Sequence, residues 1–300
     1  MDPAELLRAS RVIIVAGKGG VGKTTVTAAL ARRAGAEGLT TLVVEIEGRS
    51  GLPELFGQPP LTYEPSILVP GAAGTADVRG RTLTPDDALR EYLQDHGLKR
   101  VSRRLVDSGA MDVVATAAPG IRDILVLGKV KQLERAGVAD LIVIDAPAAG
   151  HAITFLLSAR GLLDAVRVGP VHTQAADVLE LLTDPARCQV VLVTLPEETP
   201  VNELVETAFV LEDRVGVSLG PVVVNGLYPP LDGLDVDPGS GPDAEALRAA
   251  AAFRRARTAQ QEEQLARLSE RLPLPQLHLP FLFEADLGLP EIDLLAEALG

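Results

Sequence analysis

The sequence predicts an α/β fold: a mostly parallel central sheet with helices on both faces and a helical insertion. Three observations predict it. Short runs of β-branched residues recur along the chain and alternate with helical patterns, the signature of strands joined by helical crossovers. Each run is apolar throughout, as a strand buried between two helical layers has to be. The first run leads straight into a glycine-rich turn that opens a helix.

The elements follow in order. A short polar helix is expected over Met1–Ser10. The strong strand runs are Val12–Val15, Thr41–Val44, Leu141–Ile144, Val190–Val193 and Pro221–Val224, with a short strand expected near Leu277–Leu279. Helical patterns occupy Gly22–Ala36, Pro85–Gln94, Leu98–Ser108, Ile121–Arg135, Ile153–Leu163, Ala175–Thr183, Pro200–Val215, Asp243–Arg271 and Glu291–Leu299. Thr84-Pro85-Asp86-Asp87 supplies a cap, a first-turn proline and an acidic first turn. Thr199 is read as the cap of the helix that Pro200 begins. Gln58–Thr82 is rich in proline and glycine and reads as loops around one short strand. Leu227–Pro242 reads as a surface loop. The helical stretch 84–135 is long for a crossover. It is read as a helical subdomain within a single domain spanning 1–300, either a binding surface or plain packing.

Composition narrows the function classes. Of the 300 residues 47% are hydrophobic, yet no stretch stays apolar for the roughly 18 residues that a membrane span requires. No basic segment precedes an apolar one at the start of the chain, so a soluble, cytoplasmic protein is expected. The formal net charge of −13 argues against nucleic acid or anionic lipid as a partner. Lys99–Arg104 is the best basic patch, and its plainer reading is a solvated helix face. The one cysteine, Cys188, allows no internal disulfide and no structural zinc site by itself. It is expected as a small buried hydrophobe.

The chemistry lies in Gly17-Lys18-Gly19-Gly20-Val21-Gly22-Lys23-Thr24, which fits G-x-x-x-x-G-K-[ST] between a strand and a helix. The glycines let backbone N–H groups turn inward around a β-phosphate, and the helix N-terminus adds partial positive charge. Lys23 is placed to bridge the β- and γ-phosphates, Thr24 to ligate Mg²⁺ and Thr25 to add a hydroxyl near the α-phosphate. A tight strand-to-helix turn needs neither Lys23 nor Thr24. Asp145 ends a later buried strand, where a Walker B aspartate holds a Mg²⁺-bound water. Its plainer reading is a helix cap. The substrate implied is ATP, with Mg²⁺ as cofactor.

Lys18 directly follows the first glycine. The run KGGVGKTT resembles the deviant phosphate loop of the signature-lysine P-loop ATPases, which include the ArsA and tail-anchored-protein-targeting ATPases, MinD, ParA and the nitrogenase iron protein. The resemblance implies a nucleotide-sandwich dimer in which Lys18 reaches the partner's nucleotide. Its purpose would match that of an arginine finger: positive charge against a charged transition state.

Three segments are similar to the ArsA and tail-anchor-targeting branch. Glu45-Ile46-Glu47-Gly48-Arg49-Ser50-Gly51-Leu52-Pro53-Glu54-Leu55-Phe56 resembles its switch I. That alignment puts Glu47 where the branch has the aspartate that orients the attacking water, a departure by one methylene that bears on turnover. Glu47 is otherwise an ordinary loop carboxylate, and a register shifted by two would make Glu45 the functional acid. Asp145-Ala146-Pro147-Ala148-Ala149-Gly150-His151 resembles switch II, although its threonines are missing and His151 is equally a helix cap. Val224-Asn225 resembles the strand end where an Asn reads the adenine edge. The run Pro280-Phe281-Leu282-Phe283-Glu284 resembles the loop that covers the adenine. Asn225, Pro280 and Phe281 are thus implied to bind the base; Asn225 is otherwise a cap or turn residue.

The chain also departs from the branch. It has no Cys-x-x-Cys pair for intersubunit zinc, no cysteines for a metalloid or an iron–sulfur cluster, and only Met111 inside the chain where a methionine-rich client groove would lie. It is half the length of the fused tandem ArsA, so the resemblance implies pairing with itself or with a similar ATPase. The expectation is an ArsA-like dimeric ATPase that switches a surface for an unidentified protein client. The alternatives are a non-hydrolysing nucleotide-binding subunit of a heteromeric complex, or a MinD- or ParA-like positioning ATPase. The acidic segment Glu291–Gly300 weighs against the basic membrane helix of MinD.

Overall fold

The computed structural model describes residues 3–46, 48, 51–95, 120–147 and 149–300. Eight strands form one sheet: β1 (Val12–Gly17), β2 (Thr41–Ile46), β3 (Ser66–Val69), β4 (Val78–Leu83), β5 (Leu141–Asp145), β6 (Cys188–Thr194), β7 (Leu219–Leu227) and β8 (Gln276–Pro280). Their spatial order is β3-β4-β2-β5-β1-β6-β7-β8, and every neighbouring pair is parallel except β3 with β4. After β1 the chain moves outward on one side; after β5 it continues on the other. β1 therefore lies where the winding reverses, the place where open α/β sheets bind ligands beyond their carboxyl strand ends.

The described helices, numbered in chain order, are α1 (Pro3–Ala9), α2 (Lys23–Ala36), α3 (Leu52–Leu55), α4 (Pro85–Asp95), α5 (Ile121–Arg135), α6 (Ala149–Ala165), α7 (Pro170–Thr183), α8 (Glu198–Arg214), α9 (Ala244–Arg271) and α10 (Leu289–Ala298). The two-residue period of the strands divides the core. Val12, Ile14 and Ala16 of β1 pack into a layer with residues of α5, α6, α7 and α8. Ile13 and Val15 pack on the opposite face, against residues of α1, α2, α3 and α10. Both faces of the central strands are covered, which is why their sequences read as unbroken apolar runs.

Several expectations need correction. Gln58–Thr82 holds two strands rather than one, and β4 is a full parallel neighbour of β2. Its sequence VRGRTL hides it. Arg79 is there to donate to the Val138 carbonyl at 2.5 Å, and Arg81 lies 4.4 Å from the centroid of the Tyr63 ring. Gly80 is bare because a Cβ there would stand 2.8 Å from the Leu68 side chain. α8 starts at Glu198, and the Glu197 carbonyl accepts the Val201 N–H at 3.0 Å, so Thr199 lies inside the first turn and is not the cap. α7 begins at Pro170 instead of Ala175, because Gly169 at φ +98° and the following proline start it. α6 begins at Ala149, four residues ahead of the expected Ile153. The Thr84 cap is present: Thr84 Oγ1 accepts the Asp87 N–H at 3.1 Å. The helix expected over Leu98–Ser108, the basic run Lys99–Arg104 and Met111 lie outside the described residues. Cys188 is fully buried, and burial pushes its thiol pKa up to about 12.

Candidate nucleotide site

The phosphate loop is built at the end of β1, and at three of its four glycines, Gly17, Gly20 and Gly22, the backbone disfavours a side chain. At Gly17 a Cβ would stand 2.4 Å from the Val193 carbonyl oxygen of β6, so the β1–β6 approach excludes any side chain. Gly22 precedes α2 with φ +89°, and a Cβ there would stand 2.2 Å from Asn225 Nδ2. That backbone region costs an L-residue about 1–2 kcal/mol. Gly20 also has positive φ, at +81°. Val21 is the one loop residue whose side chain anchors in the core; it is 2% exposed beside α2.

The first turn of α2 carries Lys23, Thr24 and Thr25. Lys23 Nζ crosses the loop and donates to the Lys18 carbonyl at 3.0 Å. Burial holds its pKa below the ordinary lysine value, and the nearby Asp145 carboxylate pulls it partway back. Among the described residues Lys23 makes no ion pair. A partly buried cation beside a glycine-rich loop suits an anion. Thr24 Oγ1 donates to Asp145 Oδ2 at 2.8 Å, which ties the loop to the end of β5. The structure thus brings Gly17, Gly19, Gly20, Val21, Gly22, Lys23, Thr24 and Asp145 into one place, with Thr25 half-buried beside them. Asp145 is 3% exposed and Thr24 half-buried beside it; hydroxyl and carboxylate are the hard oxygen donors that suit Mg²⁺.

The expected switch residues are partly visible. Glu47, Arg49, Ser50 and Ala148 lie outside the described residues, as does the side chain of His151. Glu45, the alternative acid, is buried within β2 and accepts a hydrogen bond from Thr82 Oγ1 of β4 at 3.0 Å. Lys18 Nζ forms an ion pair with Glu203 Oε1 of α8 at 2.9 Å, a partner that the sequence does not suggest.

The end expected to meet the base is assembled from three segments. Asn225 near the end of β7 donates through Nδ2 to the Val21 carbonyl at 3.0 Å, so it touches the phosphate loop directly. Gly226, at φ +77°, lets the strand irregularity there open toward β8. Gln261 of α9 fastens this end: Nε2 donates to the Gly226 carbonyl at 3.1 Å, and Oε1 accepts the Tyr228 N–H at 2.9 Å. Pro280 ends β8, and the Phe281 N–H donates to the Leu227 carbonyl at 2.7 Å. Tyr228, Phe281 and Phe283 form a ring cluster with centroids 4.9–5.7 Å apart. The Arg254 guanidinium lies 4.2 Å from the Tyr228 ring centroid. The sequence reading singled out neither Tyr228, Arg254 nor Gln261. The available signal was scarcity: the chain has only 3 Tyr and 6 Phe, and three of these nine meet here.

A glycine loop after the central strand of a mostly parallel sheet, with Lys23, Thr24 and Asp145 converging on it, defines a P-loop NTPase of the α/β class. The anion-transporting ATPase model matches residues 10–168, over half of the chain, and the chain belongs to that family. It is 36% identical over 226 residues to the ATPase BagA of Mycobacterium tuberculosis, covering 73% of this chain and 66% of that protein. It is 29% identical over 306 residues to a putative arsenical pump-driving ATPase of Halobacterium salinarum, covering 94% of this chain and 43% of that protein. It is 27% identical over 144 residues to an ATPase get3 of Schizosaccharomyces japonicus, covering 48% of this chain and 42% of that protein. The chain thus spans just under two thirds of the mycobacterial relative and less than half of the other two. The family and these names support ATP use at family level. Among the described residues no helix is long and apolar enough to cross a membrane.

Proposed function

We propose that this chain hydrolyses Mg·ATP to ADP and phosphate as a nucleotide-sandwich dimer, and that nucleotide state switches a surface for a protein partner. The observation that carries the proposal is the convergence of Lys23, unpaired with any described carboxylate, on the Thr24–Asp145 pair at 2.8 Å. Glycine-loop amides bind the β-phosphate, and Lys23 turns from the Lys18 carbonyl to phosphate oxygens. Thr24 and Asp145 would hold Mg²⁺, which supplies charge neutralisation to the triphosphate when bound. Water attacks the γ-phosphorus, the bond to the β–γ bridging oxygen breaks with its electron pair leaving on ADP, and the water's protons pass to the released phosphate and to solvent. Glu47 is assigned the orientation of that water. Lys18 of a second copy, identical or similar, is assigned the charge that meets the transition state. Asn225, Pro280 and Phe281 are assigned the base. The proposal also includes a single 1–300 domain, the stretch 84–135 as its helical subdomain, a cytoplasmic location, and a client that is neither nucleic acid nor membrane.

The test is steady-state phosphate release with Mg·ATP, for the wild type and for Lys18→Ala. Turnover that is lost in the variant supports a dimeric ATPase with a trans-acting lysine. Normal hydrolysis by Lys18→Ala removes that role. Bound ATP with no phosphate release from either protein favours a nucleotide-binding subunit that does not turn over alone.

A further inference from the structure

Residue 18 is tied to its own chain at both ends. Its carbonyl accepts Lys23 Nζ at 3.0 Å, and its ammonium pairs with Glu203 Oε1 at 2.9 Å. The topology makes this pair. Val193 of β6 lies against Gly17 in the sheet register, and α8 leaves β6 after a short turn, so its first turns flank the phosphate loop. The other carboxylates at the start of α8 are engaged elsewhere: Glu197 pairs with Arg257 at 3.0 Å and Glu198 with Arg267 at 3.4 Å, both on α9. Among the described residues, Glu203 has no second cation within 4.0 Å and Lys18 no second carboxylate. Among the described residues the pair thus joins one carboxylate of the scaffold to the lysine that the function above assigns to a neighbouring subunit.

The two roles compete. A carboxylate held against the ammonium offsets the charge that a triphosphate across an interface would meet, and the tether to Glu203 restricts the side chain's reach. Both side chains are partly open, at 42% and 35% exposure, so the bond is weak enough to exchange. A triphosphate presents more negative charge than one exposed carboxylate and wins once a second copy brings it near. We propose that Glu203 is a positioning residue that holds Lys18 in cis until a partner's nucleotide competes for it, and so sets the protein concentration at which the dimer forms. This rests on the reading that Lys18 acts across a dimer interface.

The experiment is sedimentation equilibrium of the full chain with Mg·AMP-PNP, a probe that requires no turnover. It compares wild type, Glu203→Gln, Glu203→Asp, Lys18→Ala and the Lys18→Ala/Glu203→Gln double variant. Glu203→Gln is expected to dimerise at about two- to fivefold lower protein concentration, the size of one exposed ion pair. Glu203→Asp, which keeps the charge, is expected to restore a value near wild type. In the Lys18→Ala background Glu203→Gln is expected to change nothing. Indistinguishable wild type and Glu203→Gln, with Lys18→Ala impaired, overturns the role of Glu203 and leaves the trans lysine standing. Weaker dimerisation by Glu203→Gln also overturns it, since the carboxylate would then assist assembly. Dimerisation equal in wild type and Lys18→Ala, or absent from every variant, overturns the underlying reading.

Discussion

The phosphate end and the proposed base end of this site are built by opposite strategies. At the phosphate end one continuous strand–loop–helix, residues 12–36, supplies nearly every group, and its polar atoms bond within the protein: Lys23 to Lys18, Thr24 to Asp145. At the proposed base end two segments, one at Tyr228 and one at Phe281 and Phe283, bring rings to a more open surface, with Phe281 41% and Phe283 65% exposed. The difference teaches that charge fixes residues at set spacings along the chain, whereas a flat apolar surface accepts any rings that the fold delivers. Removing the charge should therefore cost the most. Lys23→Ala is expected to weaken ATP binding by on the order of 10- to 100-fold, the scale of a lost hydrogen bond to a charged group. Isothermal titration with ATP and with inorganic tripolyphosphate checks it: both are expected to lose affinity alike. Unchanged ATP affinity would sink the phosphate-loop assignment.

The two ends touch where Asn225 meets Val21 and Gly22, and the approach of Asn225 to Gly22 allows a sharper test. Gly22→Ala is expected to destabilise the fold by about 1–2 kcal/mol from the positive φ alone, with a further cost from displacing the Asn225 amide. Asn225→Ala is expected to cost about 1 kcal/mol through the lost bond to the Val21 carbonyl. If the contact is real, the double variant costs less than the sum, because alanine at 225 clears the space that the new methyl needs. Urea unfolding of the four proteins gives the coupling. Strict additivity would show that the ends are independent.

Legibility from the sequence follows the same division. Central strands announce themselves because both of their faces are buried, and Gly17 to Thr24 announces itself because its motif sets Gly17, Gly22, Lys23 and Thr24 at fixed spacings. β4 stays hidden because its outward contacts require Arg79 and Arg81, which read as loop residues. The partner of Lys18 is equally silent: nothing in the sequence around Glu203 distinguishes it from Glu197, Glu198 or Glu206 on the same helix. Tyr228 and Arg254 meet where Gln261 and Arg254 both tie the end of β7 and the residues after it to α9. Such contacts belong to tertiary packing, and no local spacing records them.

At the base end the expected effects are smaller and specific to the base. Phe281→Ala is expected to weaken ATP by about 1 kcal/mol, roughly fivefold, the low end of what one stacked ring contributes. Tripolyphosphate, which has no base, is expected to bind as tightly as it does to the wild type. Loss with both ligands would mean that Phe281 supports the phosphate loop instead of the base, and the division between the ends would fall.

Arg254 carries the smallest effect and tests whether the ring cluster is preorganised. Its guanidinium lies on Tyr228 at 4.2 Å and near Phe283 at 5.4 Å, and it donates to the Pro229 carbonyl, so it holds the rings from outside. An exposed cation–π contact contributes about 0.5–1 kcal/mol. Arg254→Ala is therefore expected to weaken ATP about twofold by letting Tyr228 and Phe283 move, again without effect on tripolyphosphate. Arg254→Lys separates the two sources of that effect. Lysine keeps the charge but lacks the planar fork that grips ring and carbonyl together. Lysine behaving like alanine would mean that geometry sets the rings; lysine behaving like arginine would mean that charge alone does.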